Sequence, residues 1–276
     1  MPRIYLSPSL QEFNQYTGGG NEELYMNLVA DAMEPYLRAS GIDFTRNDPG
    51  MTLSQVIAQS NAGNYDLHLA IHSNAAAGEL AGQMQGADIY YSPVSVNGRR
   101  AAEIFAANYQ NLYPDPEMVN IRSTTSLAEV NRTRAPAILI ETAYHDNPED
   151  AQWIRDNVEN IGRNLAQSTA QFLGVPFVTP TGAPQAAAAV SAEPITIPVM
   201  TPSPSKNGPV SDERVRCGRG SLCLMEEPHP LATVLGTLPD GAKVEVLGRE
   251  GGWAAIRYGG RVGYVADKYL RREPMD

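Results

Sequence analysis

Apolar residues in the first two thirds of the chain follow two alternating patterns. Short apolar runs, typical of buried strands, alternate with longer segments in which apolar positions recur at the helical period. Strands are predicted near 4–7, 44–46, 67–72, 87–91 and 137–141. Helices are predicted near 22–40, 52–61, 98–112 and 150–173. This alternation predicts an α/β fold, a mostly parallel sheet with helices on both faces.

Two of the predicted strands end in residues that carry chemistry. The run LHLAIHSNAA ends by presenting His72, followed by Ser73 and Asn74, and APAILIETAYHDN places Glu141 directly after its apolar residues. A carboxylate at such a position is costly unless it is paired or functional. Because ligands of α/β sheets gather at the carboxyl ends of the strands, His72 and Glu141 are predicted to share one site.

A third element supplies another acid, since Asn21, Glu22 and Glu23 open the first strong helical pattern. An acid, an imidazole and a second acid from three elements suit a mononuclear zinc hydrolase. Such a site needs three or four nitrogen or oxygen ligands, one position for water, and a carboxylate that takes the water's proton.

His68 is the competing imidazole, four residues before His72. On a strand the two rings share a face but lie about 13 Å apart, too far for one zinc ion. We therefore predict a structural role for His68.

The blocks NEELYMNL, DLHLAIHSNAA and PAILIETAYHDN, in this order after a strand and a glycine-rich loop, carry a family resemblance. Over about residues 3 to 176 the chain resembles the zinc-dependent N-acetylmuramoyl-L-alanine amidases of the type 3 group, which cut bacterial peptidoglycan. The resemblance implies that Glu23 and His72 bind zinc and that Glu141 is the catalytic acid. Glu22 then has the role of a carboxylate favoured by the helix dipole.

The first block departs from the family pattern. SPSLQ stands where the family has DPGHG, so Leu10 falls on the position of a histidine ligand. The substitutes are Gln11, through its amide oxygen, or Glu12, and an SPSxQxxN opening in some clostridial members favours Gln11. A neutral amide is a weaker zinc donor than imidazole. Asn74 and His145 are the expected substrate contacts, although a turn-forming role suits His145 equally well.

The remainder of the chain divides into two parts. Residues 178–209 are rich in proline, alanine, threonine and serine, which favours an extended spacer. Residues 210–276 hold ten basic and ten acidic residues, so the net charge of −10 comes entirely from upstream. We predict an amidase domain at 1–177, a linker at 178–209 and a separate domain at 210–276.

The C-terminal part shows short strands separated by turns, with VLGTLPDGAKVEVL, GGWAAI and GYVADKYL as landmarks. It resembles a bacterial SH3 (SH3b) domain, which implies a small all-β SH3-like barrel that binds cell wall. Four aromatic residues of this domain are candidates for a ligand groove: Trp253, Tyr258, Tyr264 and Tyr269. For Trp253 and Tyr264 the alternative is that they form part of the barrel core. Cys217 and Cys223 form a disulfide in an oxidising space or remain free thiols.

Composition narrows the partners and the location. The net charge of −10 argues against nucleic acid, and no run approaches the roughly 18 apolar residues of a membrane helix. The N-terminus lacks the pattern of a signal peptide. We therefore expect an enzyme that waits in the cytoplasm until release, as a phage endolysin does, or that leaves by another route and acts as a bacterial autolysin. The oligomeric state is left open.

These features predict a zinc-dependent peptidoglycan hydrolase that cuts between N-acetylmuramic acid and L-alanine. The alternative is an inactive amidase-fold scaffold that binds cell wall through the SH3b domain, and the missing first histidine favours it. Glu141 opposes that alternative, because a scaffold has little use for a carboxylate at the end of a buried strand. A zinc amidohydrolase of another substrate class is disfavoured by the SH3b domain.

Overall fold

The computed structural model describes residues 1–180, 211–216, 221–228, 234–250 and 252–272. The chain forms two compact units, Met1–Ala183 and Pro184–Asp276. Most of the predicted linker and Cys217 lie outside the described residues, and so does the predicted disulfide. No helix among the described residues has both the length and the apolar character needed to cross a membrane.

The N-terminal unit contains a six-stranded mixed sheet with the strand order β2-β1-β3-β6-β4-β5. Its strands are β1 (Arg3–Pro8), β2 (Asp43–Arg46), β3 (Leu67–Asn74), β4 (Ala87–Tyr91), β5 (Val119–Ser123) and β6 (Ala137–Tyr144). Its helices are α1 (Glu22–Ala39), α2 (Leu53–Ala62), α3 (Val96–Tyr109), α4 (Ala128–Asn131) and α5 (Pro148–Leu173). Only β4 runs antiparallel to its neighbour β6, and every other strand pair is parallel.

The predicted α/β fold is confirmed. Two elements were missed, β5 because it is almost entirely exposed and α4 because it is too short to show a hydrophobic period. In β5 only Val119 is buried, and α4 is four residues long. The missed helix matters, because it contributes to the site described below.

Side chains of β3 alternate between two environments. Leu69 and Ile71 pack into the large core formed with α1, α3 and α5. Ala70 points to the other face and packs with Val130 of α4 and Leu139 of β6. Helices therefore cover both faces of the sheet. The face beneath α2 and α4 is the one that carries the polar residues His68 and His72.

The C-terminal unit is a seven-stranded sheet with the order β13-β7-β10-β11-β12-β8-β9, in which all neighbours are antiparallel. Its strands are β7 (Ser211–Val215), β8 (Ser221–Met225), β9 (Val234–Pro239), β10 (Lys243–Glu250), β11 (Trp253–Tyr258), β12 (Arg261–Ala266) and β13 (Leu270–Arg272). A separate small core lies at its centre, as expected of an SH3-like domain.

The aromatic residues of this unit fall into two groups. Tyr269 is buried in the core, whereas Trp253 and Tyr264 are only half-buried. Ala254 and Val265, the next residues along the strands, are core residues. Because side chains alternate along a strand, Trp253 and Tyr264 share the opposite face. The expectation that these two form the barrel core is therefore wrong, and the groove alternative remains for them.

A close contact between α1 and α5 leads to a stability prediction. A Cβ at Gly162 would lie 2.6 Å from Ala32 Cβ and 2.8 Å from the carbonyl oxygen of Val29. Alanine is the better helix former by about 1 kcal/mol, but overpacking a core costs about 1–3 kcal/mol. We expect Gly162→Ala to lower the thermal unfolding midpoint of the N-terminal unit.

The matched control is Gln167→Ala, at an exposed position of the same helix. It should leave the midpoint unchanged or slightly raised. A higher midpoint for Gly162→Ala would show that the two helices separate easily.

Candidate active site

The site lies at the carboxyl ends of β3 and β6. His72 is in register with Glu141, and Glu141 is in register with Asp88 of the antiparallel strand β4. Residues in register on neighbouring strands point to the same face of a sheet. The carboxylate of Glu141 is therefore flanked by an imidazole on one side and a second carboxylate on the other.

The ring of His72 lies between two buried carboxylates. Its Nδ1 is 2.8 Å from Oε1 of Glu22, and its Nε2 is 3.4 Å from Oε2 of Glu129. Glu22 is the first residue of α1, and the Asn21 side chain caps that helix by accepting a hydrogen bond from the Leu24 amide. The cap sets where the helix begins, so it also directs Glu22 toward the end of β3.

Glu22 is the acid at the start of α1 whose carboxylate contacts His72, whereas the sequence analysis expected Glu23 to be the zinc ligand. Successive residues of a helix point about 100° apart, so two adjacent glutamates face different directions. Glu22, which had been assigned only a helix-dipole role, is fully buried and touches His72. Glu23 is also buried, but it follows on the next helical position.

Gln11 lies in the same place, as predicted. Its Nε2 is 3.2 Å from Nδ1 of His72 and 3.4 Å from Oε1 of Glu22, while its Oε1 accepts a hydrogen bond from Asn14. Asn14 also donates to Oε2 of Glu22 at 2.5 Å. The loop after β1 thus places one amide directly against the imidazole and a second amide behind the carboxylate.

The electrostatics of the pair follow from these contacts. Burial opposes ionisation of both groups, yet the hydrogen bond and charge of His72 lower the pKa of Glu22. Burial likewise favours neutral His72, but the Glu129 and Glu22 carboxylates, which accept from its ring nitrogens, outweigh burial and hold the pKa of His72 well above its usual value. These directions favour the protonated ring between two ionised carboxylates.

Glu141 differs from these acids. Burial raises its pKa to about 7, with the charge of His72 opposing the rise and those of Glu22 and Asp88 adding to it. Its Oε2 is buried and has no hydrogen-bond partner among the described residues. A buried carboxylate oxygen without a protein partner is suited to bind a water molecule or a substrate group.

The two predicted substrate contacts have other partners. His145 is buried, its Nδ1 lies 2.9 Å from the carbonyl oxygen of Ser73, and its ring stacks on Tyr16. These contacts are those of a structural residue that joins the ends of β3 and β6, as the turn-forming alternative anticipated. Asn74 is half-buried and accepts a hydrogen bond from the Ala75 amide.

Sequence reasoning missed Glu129 and Asp88. Glu129 lies in a segment without periodicity, so nothing in the sequence marked it. Asp88, by contrast, sits within the apolar run ADIYY, where the argument applied to Glu141 would have found it. Arg122 of β5 contacts Asp88 through its Nε at 2.7 Å and compensates this buried charge.

The donors fit a metal ion only if an amide takes part. No group of three or more His, Cys, Asp and Glu side chains lies in a metal-binding arrangement within the described ranges. His72 Nδ1 and Glu22 Oε1 nevertheless converge with the amide of Gln11. Turning that amide by 180° presents its oxygen, at the cost of its hydrogen bonds from Asn14 and to Glu22. An imidazole, a carboxylate and an amide oxygen make a three-donor set suited to zinc, with weaker affinity than a set holding two imidazoles.

Comparison with known proteins identifies the family. The family of N-acetylmuramoyl-L-alanine amidases matches residues 12–173, and the bacterial SH3 domain family matches residues 226–271. The chain therefore belongs to the N-acetylmuramoyl-L-alanine amidases, enzymes that act on peptidoglycan, and carries a bacterial SH3 domain. No curated protein matches the chain significantly.

Solved structures agree on the fold of the N-terminal unit. N-acetylmuramoyl-L-alanine amidase AmiC2 of Nostoc punctiforme aligns with a TM-score of 0.56 and 16% identity, covering 63% of this chain and 97% of that one. The catalytic domain of the CD27L endolysin targeting Clostridia Difficile aligns at 0.51 and 18%, covering 62% and 98%. Cwp6 from Clostridium difficile aligns at 0.51 and 23%, covering 63% of this chain but 29% of that one.

The raised pKa of Glu141 predicts a pH-dependent cost in stability. A carboxyl whose pKa is about 7 when folded and about 4.5 when unfolded binds its proton more tightly in the folded state. It therefore destabilises the fold as the pH rises from about 4.5 to about 7, by up to about 3 kcal/mol. We expect Glu141→Gln to stabilise the metal-free protein at pH 8, with a gain that shrinks toward pH 4.5.

Denaturant unfolding of the N-terminal unit at several pH values measures this difference. The control Glu117→Gln replaces an exposed glutamate and should show no such trend. A gain that does not vary with pH would mean that Glu141 is ionised in the folded protein at pH 5.

Proposed function

We propose that the N-terminal unit hydrolyses the amide bond between N-acetylmuramic acid and the L-alanine of the stem peptide. The observation that supports this most directly is Glu141, a carboxyl with a pKa of about 7 and an unpaired buried oxygen beside the His72–Glu22 pair. A general acid–base works best when its pKa lies near the working pH. A purely structural role does not explain why a carboxyl with an unpaired oxygen lies next to His72.

We further propose that His72, Glu22 and Gln11 hold a zinc ion. When bound, zinc supplies a Lewis acid that polarises the amide carbonyl and lowers the pKa of water. The chain's own residues supply the remainder. His72 gives up its Nδ1 proton on binding the metal, so affinity should rise with pH. Glu22 stays ionised, because its low pKa keeps it in the form that binds a cation.

Glu141 carries the proton in this mechanism. Its ionised carboxylate takes a proton from the attacking water, whose oxygen forms a bond to the lactyl carbonyl carbon. The protonated carboxyl then gives that proton to the alanine nitrogen as the carbon–nitrogen bond breaks. The products are a carboxylate on the muramic acid and a peptide with a free L-alanine amino group. A pKa of about 7 lets the same group accept and release the proton.

The C-terminal unit is proposed to hold the enzyme on the cell wall. The half-buried Trp253 and Tyr264 share the face that the core does not use, and aromatic side chains give large contact areas. Asn74, next to the end of β3, is retained as a proposed substrate contact. We further propose that the enzyme is released by cell lysis, as an endolysin is. Its net negative charge disfavours nucleic acid as a partner.

The test of the activity uses purified peptidoglycan and two proteins, the zinc-loaded chain and its Glu141→Gln variant. We expect the parent to release peptides with new L-alanine amino termini, identified by amino-terminal labelling and mass spectrometry. The variant should be slower by at least about a hundredfold, the usual contribution of a general acid–base. Its folding is checked by circular dichroism. Wall that binds the parent but stays intact would instead favour the cell-wall-binding scaffold.

A matched pair of variants tests the metal ligand at the start of α1. Glu22→Gln and Glu23→Gln remove the same charge from adjacent positions of one helix turn. We expect Glu22→Gln to weaken zinc binding by more than about tenfold, a loss of about 1.4 kcal/mol, because a carboxylate ligand becomes a neutral amide. Glu23→Gln should change it by less than about threefold. Equilibrium competition with a chromogenic chelator measures both, and the reverse order would assign the role to Glu23.

A further inference from the structure

Glu129 is a buried carboxylate that the mechanism above does not use. It lies in the four-residue helix α4, is 7% exposed, and contacts three side chains from two strands. Its Oε1 accepts a hydrogen bond from Ser7 of β1 at 2.5 Å and lies 3.0 Å from Nε2 of His68. Its Oε2 lies 3.4 Å from Nε2 of His72. Both oxygens are therefore committed to polar partners.

The contacts of His68 hold Glu129 in place. The other ring nitrogen of His68, Nδ1, lies 2.9 Å from the hydroxyl of Ser60 in α2. Its ring stacks on Tyr5 with 5.1 Å between the ring centres, and the Tyr5 hydroxyl bonds Gln59 at 2.6 Å. His68 thus has both nitrogens bonded and one ring face covered. This is the structural role predicted for it, but the residue that it supports belongs to the active site.

Glu129 also accounts for the pair of histidines four residues apart on β3. Their rings point to the same face and are too far apart to touch, and the Glu129 carboxylate spans the gap between them. A buried chain of contacts therefore runs from Ser60 through His68 and Glu129 to His72, and ends at Glu22. Every member apart from Glu22 lies beneath α2 and α4 or within those helices.

The orientation of His72 follows from this chain. An imidazole has two nitrogens, and in its neutral form one donates while the other accepts. Both ring nitrogens of His72 face carboxylates in this structure, Nδ1 that of Glu22 at 2.8 Å and Nε2 that of Glu129 at 3.4 Å. A cation bound at Nδ1 would displace the proton there, and the Glu129 carboxylate would keep the remaining proton on Nε2. Nδ1 is also the nitrogen that faces Glu22 and Gln11. A carboxylate behind a metal-binding histidine fixes its tautomer and ring orientation in just this way.

We propose that Glu129 is a positioning residue for His72, which it holds with Nε2 protonated and Nδ1 directed at the metal position. This inference rests on the proposed zinc function for its consequence, but the placement of the Nε2 proton does not depend on bound metal. The rival explanation is that Glu129 only anchors α4 to the sheet. That explanation predicts a loss of stability on substitution, with no effect on the protonation of the His72 ring.

The experiment follows the imidazole protons and nitrogens of His72 by NMR in the full chain labelled with nitrogen-15, with and without zinc. In the parent we expect an Nε2 proton that exchanges slowly with solvent, present in both states, and a zinc-induced shift at Nδ1. Glu129→Gln removes the negative charge and leaves one amide oxygen as a weaker acceptor shared between the two histidines, so the Nε2 proton should exchange faster. Zinc affinity should fall by about tenfold to a hundredfold.

Two further variants serve as comparisons. Ser60→Ala removes only the outermost contact of the chain and should weaken zinc binding by less than about threefold. Glu117→Gln, at an exposed position, should leave both the exchange rate and the affinity as in the parent.

The outcomes separate this inference from the proposed function. If the parent binds zinc and cuts peptidoglycan while Glu129→Gln keeps its affinity and its protected Nε2 proton, the positioning role is wrong and the function stands. If the parent binds no zinc, the proposed metal site fails, and the Nε2 proton of the parent still decides the positioning role. A zinc-induced loss of the Nε2 proton would overturn the inference, because the metal would then lie on the Glu129 side. Should Glu129→Gln fail to fold, the measurements on the parent alone decide.

Discussion

The active site depends on one interaction, the imidazole of His72 held between the buried carboxylates of Glu22 and Glu129. Each carboxylate would be unfavourable in this position alone, since burying an unpaired charge is costly. Together with the ring they form a set in which opposite charges lie in contact and both ring nitrogens have partners. The set also joins α1, β3 and α4, which are distant in sequence, so folding of the sheet and assembly of the site are the same event.

The sheet register adds Glu141, the proposed acid–base group, to this set. Glu141 is placed beside His72 by the parallel pairing of β3 with β6, and beside Asp88 by the antiparallel pairing of β6 with β4. Burial raises the pKa of Glu141, the charge of His72 limits the rise, and the charges of Glu22 and Asp88 add to it. The antiparallel pairing of β4 with β6 therefore has a chemical consequence, because it brings Asp88 next to Glu141.

The sequence SPSLQ at the end of the first strand, which departs from the family pattern, is consistent with the arrangement of carboxylates around His72. Gln11 lies against His72, Ser9 accepts a hydrogen bond from the Gln11 backbone amide, and Asn14 donates to both Gln11 and Glu22. Two anionic side chains on either side of His72 increase the attraction of the site for a cation, which offsets part of what a neutral amide loses as a donor. The C-terminal unit has its own core and, by sequence, a balanced charge, whereas the net negative charge of the chain lies upstream of it.

The sequence by itself determined the α/β class, the order and approximate bounds of most strands and helices, the SH3-like unit, and the presence of His72, Glu141 and Gln11 in one site. These follow from local periodicity and from the rule that strand ends share an edge, and both can be read along the chain. Only the tertiary structure showed that the carboxylate in contact with His72 is that of Glu22, because this depends on the rotation of α1 about its axis. It alone revealed Glu129, which meets His68 across 61 positions of sequence from a helix too short to leave a pattern. It also showed that Trp253 and Tyr264 point away from the barrel core. The buried face of a strand is set by the elements that pack against it, and the sequence does not show which elements those are.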